Sequence, residues 1–170
     1  MILVIEGKEI MKAHADITGE NINGEAHFTE IEHGTQRLVK VHITIEGDPL
    51  VFTPGLHGVH IHERGICEAP DFMSAGGHFD PGPASDTDPD VNHPYHMGDL
   101  PNIEIREDGS GELEAITDRV TLTEGPLCIL SGEGTAIMIH GKHDSRIPGE
   151  HKSGVSGGPR LACGVIRMVK

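Results

Sequence analysis

The sequence is poor in aromatic residues. It has no tryptophan, one tyrosine and four phenylalanines, so a core has to be built from Val, Ile, Leu and Ala. Glycine and proline are abundant instead, with 23 and 11 residues, and so many turn-forming residues imply many short connections. This composition favours β-structure and argues against long helices.

Long apolar runs are also missing. The apolar run at the amino end stops at Ile5 and is followed by Glu6, which is too short for the apolar region of a secretory signal. No stretch reaches the length of a transmembrane span. We therefore predict a protein that does not associate with membranes, cytoplasmic as given, or periplasmic or extracellular if the chain has already been processed.

Basic residues are outnumbered by acidic ones. There are 13 Lys and Arg against 27 Asp and Glu, a net charge of −14, which argues against nucleic acid and anionic membranes as partners. The 13 histidines are neutral at pH 7 and are therefore available as metal ligands. Metal binding is the first hypothesis that they suggest.

The strand patterns predict a single all-β domain. Alternating or apolar segments bounded by turn residues lie at 11–18, 24–31, 37–46, 102–106, 112–117, 135–140 and 161–169. About eight short strands without helical periodicity predict an immunoglobulin-like Greek-key β-sandwich or flattened eight-stranded barrel. We predict an N-terminal extension at 1–10 and one domain at 11–170.

Two long irregular segments, 68–101 and 141–159, interrupt these strands. A loop of about thirty residues without its own helix or strand is improbable in a compact domain unless something inside it, such as a metal, supplies the order. We expect both segments to be functional loops.

A short segment from Gly55 to Cys67 contains two histidines two residues apart. In a β-strand such side chains project from one face, roughly 6.6 Å apart, so that His60 and His62 can reach one metal ion. A single His-x-His also arises by chance on exposed strands. The hypothesis therefore depends on the other ligand-type residues of the chain, His78, His96, Asp99 and His140.

With these residues the chain resembles the copper/zinc superoxide dismutases. The resemblance runs in order from residue 11 to residue 169, and its motifs are 55–63, 74–79, 96–102, His140 at a strand end, and 160–166. It implies an enzyme that converts superoxide to dioxygen and hydrogen peroxide at a copper ion bridged to zinc. It also implies a homodimer, since the family commonly forms dimers.

The resemblance implies a ligand set. The copper ligands are His60, His62, His78 and His140, and the zinc ligands include His78, His96 and Asp99. His78 is the imidazole that bridges the two metals and carries a proton in catalysis. Asp144 resembles the carboxylate that links a copper-side histidine to a zinc-side histidine and fixes ring orientation.

The third zinc histidine departs from the family pattern. The position eight residues after the bridging histidine is Asp86, and the other histidine of this loop is His93. The spacing His93-x-x-His96-x-x-Asp99 places three ligands around one ion across a tight turn, so we predict that His93 is a zinc ligand. The alternative is a degenerate zinc site, as in copper-only relatives, with His93 solvated.

Four further residues take roles from the resemblance. Cys67 and Cys163 match the family's intrasubunit disulfide, and on this resemblance we predict that they are bonded, although two reduced thiols are the usual state in the cytoplasm. Arg160 matches the channel arginine that hydrogen-bonds the anion, and Lys152 aligns less securely with the lysine that guides it. Local cations have to attract superoxide, because the net charge repels it.

The remaining histidines have no ligand spacing. We expect His57 to brace its loop by hydrogen bonding, and the others to face solvent: His14, His27, His33, His42, His143 and His151.

Two non-enzymatic functions compete with the dismutase. A copper carrier or metallochaperone can share this fold, but such proteins have Cys-x-x-Cys or Cys-x-Cys motifs, and the three cysteines here are widely spaced. A structural relative without copper is disfavoured by the four copper histidines.

Overall fold

The computed structural model describes residues 6–83, 85–91 and 95–170. It contains nine strands: β1 (Lys8–Gly19), β2 (Ile22–His33), β3 (Gln36–Gly47), β4 (Gly55–His62), β5 (Asp99–Ile105), β6 (Ser110–Thr117), β7 (Ala136–His140), β8 (Arg160–Val165) and β9 (Arg167–Met168). The only helical segment among the described residues is a 3-10 turn, Met73–Ala75. None of the helical structure in these ranges is long and apolar enough to cross a membrane.

Eight of the strands close into an antiparallel barrel. The order of neighbours is β1-β2-β3-β6-β5-β4-β7-β8, and β8 pairs with β1 to complete the ring. β3 pairs with β6 and β4 pairs with β7, so that β3 and β4, which follow each other in the sequence, are not adjacent in the barrel. Such crossover connections are typical of a Greek key. The predicted eight-stranded all-β fold is confirmed, and the two-residue strand β9 is added beside β1.

The alternation of side chains follows the sequence pattern. On β3 the residues Val39, Val41, Ile43 and Ile45 are buried, because successive strand residues point to opposite faces and the apolar ones face the barrel interior. Phe28 and Phe52 supply the largest fully buried side chains. The core thus consists mainly of β-branched residues, as the shortage of aromatics predicts.

Most strand boundaries differ from the prediction by a few residues, and two of these differences change how the chain is divided. The last predicted strand, 161–169, is divided at Ile166, whose buried side chain joins the core while its N–H donates to the Thr135 carbonyl at 3.0 Å. Strand β1 begins at Lys8, within the predicted N-terminal extension, and the division into extension and domain remains a prediction.

The long loops are joined to each other by polar contacts. Asp90 accepts hydrogen bonds from the Ser156 N–H at 3.2 Å and hydroxyl at 3.1 Å, and its carbonyl accepts from the Gly149 N–H at 2.7 Å. His151 contacts Asp88 through Nδ1. Each loop therefore orders the other, and His151, expected to be solvated, is exposed at the surface but bonded.

A disulfide joins Cys67, after β4, to Cys163 of β8 across 96 residues of sequence. The predicted pairing is confirmed, and Cys128 is a buried free thiol. The bond fixes the start of the first loop to the barrel wall.

We expect the double variant Cys67→Ser/Cys163→Ser to lose about 2–5 kcal/mol of unfolding free energy, because a cross-link over so long a loop restricts the unfolded chain. Urea unfolding of the metal-free protein measures the loss. A reductant should lower the stability of the native chain and leave the double variant unchanged; equal stabilities of the two chains would contradict the prediction.

Candidate metal centre

Strand β4 places two histidines on the outer side of the barrel. Val59 and Ile61 belong to the core, so His60 and His62 point away from it. Both are nevertheless fully buried, because the long loops cover this part of the barrel. Gly58 allows the second loop to pack closely against β4, since a Cβ at this position would be 2.9 Å from the Ser156 carbonyl oxygen.

His78 and His140 complete a cluster of four buried imidazoles. One ligand atom from each of the four histidines lies within 4.8 Å of the others. His140 ends strand β7, which pairs with β4, and His78 is held beside His62 by an isolated β-bridge. Two strands and one loop therefore bring together residues that are up to 80 positions apart.

The polar partners of three rings decide which nitrogens face inward. His60 Nε2 lies 2.8 Å from Asp144 Oδ2, His62 Nδ1 lies 3.0 Å from the Gly76 carbonyl, and His140 Nδ1 lies 3.2 Å from the Gly158 carbonyl. The opposite nitrogens of His62 and His140 approach each other to 3.4 Å. The outer contacts thus orient the rings for binding a common cation.

Buried nitrogens without partners indicate what the cluster binds. Within the ranges that the structure describes, His60 Nδ1 and His78 Nε2 have no hydrogen-bond partner. Leaving buried polar atoms unsatisfied is unfavourable, and four imidazoles facing each other are a ligand set for a transition metal such as copper. The residues fit a metal ion at this position.

A second group of ligands lies on the other side of His78. Its Nδ1 is 3.1 Å from His96 Nδ1 and 3.0 Å from Asp99 Oδ1. These distances are close to the separation of about 3.3 Å between two ligands of a tetrahedral zinc ion with Zn–N bonds near 2.0 Å. His78 therefore offers Nε2 to the first group and Nδ1 to the second.

A tight turn sets the positions of His96 and Asp99. The His96 N–H donates to Asp99 Oδ2 at 3.0 Å, and the Asp99 N–H donates to the His96 carbonyl at 3.1 Å. His93, the predicted third zinc histidine, lies outside the described residues. Asp86, which stands at the family's usual position, donates its N–H to Asp80 Oδ2 at 3.1 Å.

Two further residues, Asp80 and Asn102, support the centre and were not predicted from the sequence. Asp80 is buried and also accepts the Met97 N–H at 3.3 Å. Asn102 exchanges two hydrogen bonds with the backbone of Asp144, at 2.8 and 3.1 Å. Asp80, two residues after His78, gave a weak signal by its position, whereas nothing in the sequence paired Asn102 with Asp144.

The electrostatics separate the two sides of the centre. Burial lowers the pKa of His62 and of His140 well below the usual value, and that of His78 to about 3. Burial also acts against protonation of His96, but the hydrogen bond and charge of Asp99 outweigh it and raise the pKa of His96. His62, His78 and His140 of the first group are therefore held neutral, whereas the second group contains a carboxylate.

The carboxylates are held in their ionised form. Burial alone would raise the pKa of Asp99, but hydrogen bonds from His78 and His96 hold it well below its ordinary range. For Asp144, the bond to His60 likewise outweighs burial and lowers the pKa. Both carboxylates can therefore support cationic or metal-bound imidazoles.

Arg160 lies at the edge of the buried histidines. It is paired with His140 where β8 begins, and its guanidinium donates to the Phe72 carbonyl at 3.0 Å. Its charge contributes to the lowered pKa values of His62 and His140, which places a cation beside the first group. Lys152 is exposed in a turn of the second loop.

His57 has a bracing position, as expected from the sequence. Its ring nitrogens are both 2.7 Å from backbone carbonyl oxygens, those of His140 and Thr53. The ring therefore connects the beginning of β4 with the end of β7.

Comparison with known proteins agrees with this geometry. The family model described as copper/zinc superoxide dismutase (SODC) matches residues 22–166. A superoxide dismutase [Cu-Zn] of Aquifex aeolicus is 37% identical, over 92% of this chain and 88% of that protein. One of Mycolicibacterium paratuberculosis is 39% identical over 68% of this chain, and the match spans 58% of that relative's length.

The structure also resembles a solved one. The crystal structure of the clock protein EA4 superposes with a TM-score of 0.74 at 30% identity, covering 99% of this chain and 100% of that chain.

The metal-free protein should lose stability on mild acidification. Unfolded histidines bind protons near pH 6.5, whereas His78 stays neutral in the fold down to about pH 3. Between these values the unfolded chain binds more protons, so the unfolding free energy falls as pH falls, by about 1.4 kcal/mol per pH unit for each such histidine. His62 and His140 act in the same direction, and His96 opposes them.

Urea unfolding of the metal-free protein between pH 7 and pH 4.5 measures this dependence. His33→Ala, at an exposed position, should retain the same slope. A stability that stays constant over this interval would contradict the assignment of buried neutral histidines.

Proposed function

Because this chain belongs to the copper/zinc superoxide dismutase family, we propose that it converts superoxide to dioxygen and hydrogen peroxide at the buried histidine centre. Copper would be held by His60, His62, His78 and His140, and zinc by His78, His96, Asp99 and His93. The protein is an enzyme with copper and zinc as cofactors. The observation that carries the assignment is the position of His78, whose two ring nitrogens face two separate ligand groups.

The chemistry divides between the metals and the protein. When bound, copper supplies one-electron redox chemistry, in which one superoxide gives up an electron and leaves as dioxygen, and a second gains an electron and two protons and leaves as hydrogen peroxide. The residues of the chain bind the anion, orient the ligands and hold a proton.

His78 is the proton carrier in this proposal. Its Nε2 faces the copper side without a hydrogen-bond partner in the described structure, so it can hold a proton and deliver it to the departing peroxide. Its Nδ1 is fixed between His96 and Asp99, which keeps the ring in one orientation. A ring held on one side and free on the other suits transfer of a proton at a defined atom.

Arg160 binds the substrate anion. It is the cation beside the copper-side histidines, and half-burial strengthens its attraction to a small anion relative to an exposed charge. Lys152, in the exposed turn of the second loop, contributes long-range attraction. Such local positive charge is needed because the net charge of −14 repels superoxide.

The alternative functions have less support. A copper carrier needs a pair of thiols for delivery, but Cys67 and Cys163 are joined and Cys128 is buried. A copper-only dismutase with a degenerate zinc site does not account for the convergence of His78, His96 and Asp99.

Compartment and assembly follow from less specific features. Disulfides persist in oxidising compartments, so we place the protein in the periplasm or outside the cell rather than in the cytoplasm. We also propose a homodimer, for which the apolar side chain of Leu50, 89% exposed, offers contact area.

Replacement of Arg160 tests the proposed substrate site. We expect Arg160→Ala to keep its copper and to lower kcat/KM for superoxide about tenfold or more, with a weaker dependence on salt, because electrostatic attraction of the substrate is lost. Metal analysis measures the copper content, and a dismutation assay at several ionic strengths measures kcat/KM and its salt dependence. Lys152→Ala should show a smaller decrease, and unchanged rates in Arg160→Ala would remove this role.

Replacement of His93 tests the zinc side. We expect the native protein to hold one copper and one zinc, and His93→Ala to keep copper while losing zinc affinity by about tenfold or more, as loss of a ligand requires. Asp86→Asn is the matched control and should retain zinc. Full zinc occupancy in His93→Ala at limiting zinc would exclude His93 as a ligand, and a native protein without dismutation activity would refute the function itself.

A further inference from the structure

A second set of histidines lies on the outer surface of the barrel, outside the buried centre. His14 of β1 is paired with His27 of β2, His27 with His42 of β3, and His42 with Glu114 of β6. These four residues therefore form a row across four strands. Their neighbours along each strand face the core, as Ala13 and Ala15 do on β1, so the row faces solvent.

One carboxylate joins the first two histidines of this row. Glu25 Oε2 is 3.3 Å from His14 Nε2, and Glu25 Oε1 is 3.2 Å from His27 Nε2. The two imidazole rings are 4.9 Å apart between centroids. One ligand atom from each of the three residues lies within 4.8 Å of the others.

We propose that His14, Glu25 and His27 form a surface site for a divalent transition-metal ion, zinc or copper. Two imidazole nitrogens and a carboxylate are a common protein ligand set for zinc, in which a fourth position is left to water. Imidazole donors favour zinc and copper over magnesium and calcium, which prefer oxygen ligands. This site lies on a different part of the chain from the ligands of the buried centre.

The barrel supplies the rigidity that such a site needs. β1 and β2 are paired over eleven registered positions, so the two histidines are held as a directly opposed cross-strand pair. Side chains in that relation have Cβ atoms about 5 Å apart. The backbone therefore sets the ligand spacing before any metal binds, which reduces the ordering cost of binding.

The surrounding charges are of both signs. Asp16 Oδ1 is 3.7 Å from His14 Nε2 and adds negative charge, and the bonds from His27 and His14 lower the pKa of Glu25, which keeps it ionised. Arg167 of β9 is paired with His14 on the side of β1 away from β2, and its positive charge disfavours a bound cation. The net charge of −14 favours cation binding overall.

The sequence alone does not indicate this site. His14 and His27 are thirteen positions apart, and we expected both to be solvated. They become neighbours only through strand pairing, so no local ligand spacing marks them. The two histidines lie on the outer surface, as expected, but strand pairing places them next to each other and to Glu25, so that together they can bind one ion.

The test uses the protein with its buried centre loaded with copper and zinc. Equilibrium dialysis against Zn²⁺ followed by metal analysis should find one additional zinc per chain in the native protein. We expect His14→Ala/His27→Ala to lower the affinity for this ion at least tenfold, and Glu25→Gln to lower it by less. Copper(II) added to the loaded protein should give an additional electron paramagnetic resonance signal that the double variant lacks.

Two control variants make the result specific. His33→Ala removes an exposed histidine at the end of β2 and should keep the additional ion. His42→Ala removes the histidine of β3 whose Nε2 lies 2.8 Å from Glu112 Oε1, and this variant should keep the additional ion as well. Binding that persists in the double variant, that is lost in His42→Ala instead, or that does not saturate near one equivalent would overturn the proposal.

Discussion

The rest of the centre depends on the contacts of His78, because its two ring nitrogens face different ligand groups. Its Nε2 faces the other three buried imidazoles, and its Nδ1 lies beside His96 and Asp99. Burial strongly disfavours the second proton, which would make this ring a cation, so a metal ion is the natural partner for the Nε2 atom that has no hydrogen bond within the described residues. The position of a single imidazole thereby couples two sites, and the ring can hold a proton on one side only while the other side stays fixed.

Long loops with little regular structure can hold such a centre only if tertiary contacts fix their positions. Here these contacts are hydrogen bonds between the two loops through Asp90 and Ser156, the mutual bonds of Asn102 and Asp144, and the disulfide from Cys67 to Cys163. Each contact joins segments that are distant in sequence, so the loops are ordered by tertiary contacts rather than by local propensity. The rigid barrel beneath them supplies fixed anchor points for β4 and β7.

The charges of the protein have different effects at different distances. The overall negative charge attracts cations, whereas Arg160 places a positive charge beside the buried histidines, where we propose that an anionic substrate binds. On the outer face of the barrel, carboxylates and histidines are adjacent across strands, and the same negative field favours a cation there. Local arrangement, and not net charge, therefore sets the sign of the charge that each of these two places presents.

The sequence by itself determined the strands and their inward-facing residues, and it predicted which histidines form the buried cluster. Alternation of Val39, Val41, Ile43 and Ile45 marks a half-buried strand without any further information, and the His-x-His of β4 places two histidines on one face. Ring orientation, the pairing of Asn102 with Asp144 and the cross-strand pairing of His14 with His27 were decided only by the tertiary structure. The physical reason is that hydrogen-bond partners and strand neighbours come from distant parts of the chain, and closure of the barrel alone brings them within contact distance.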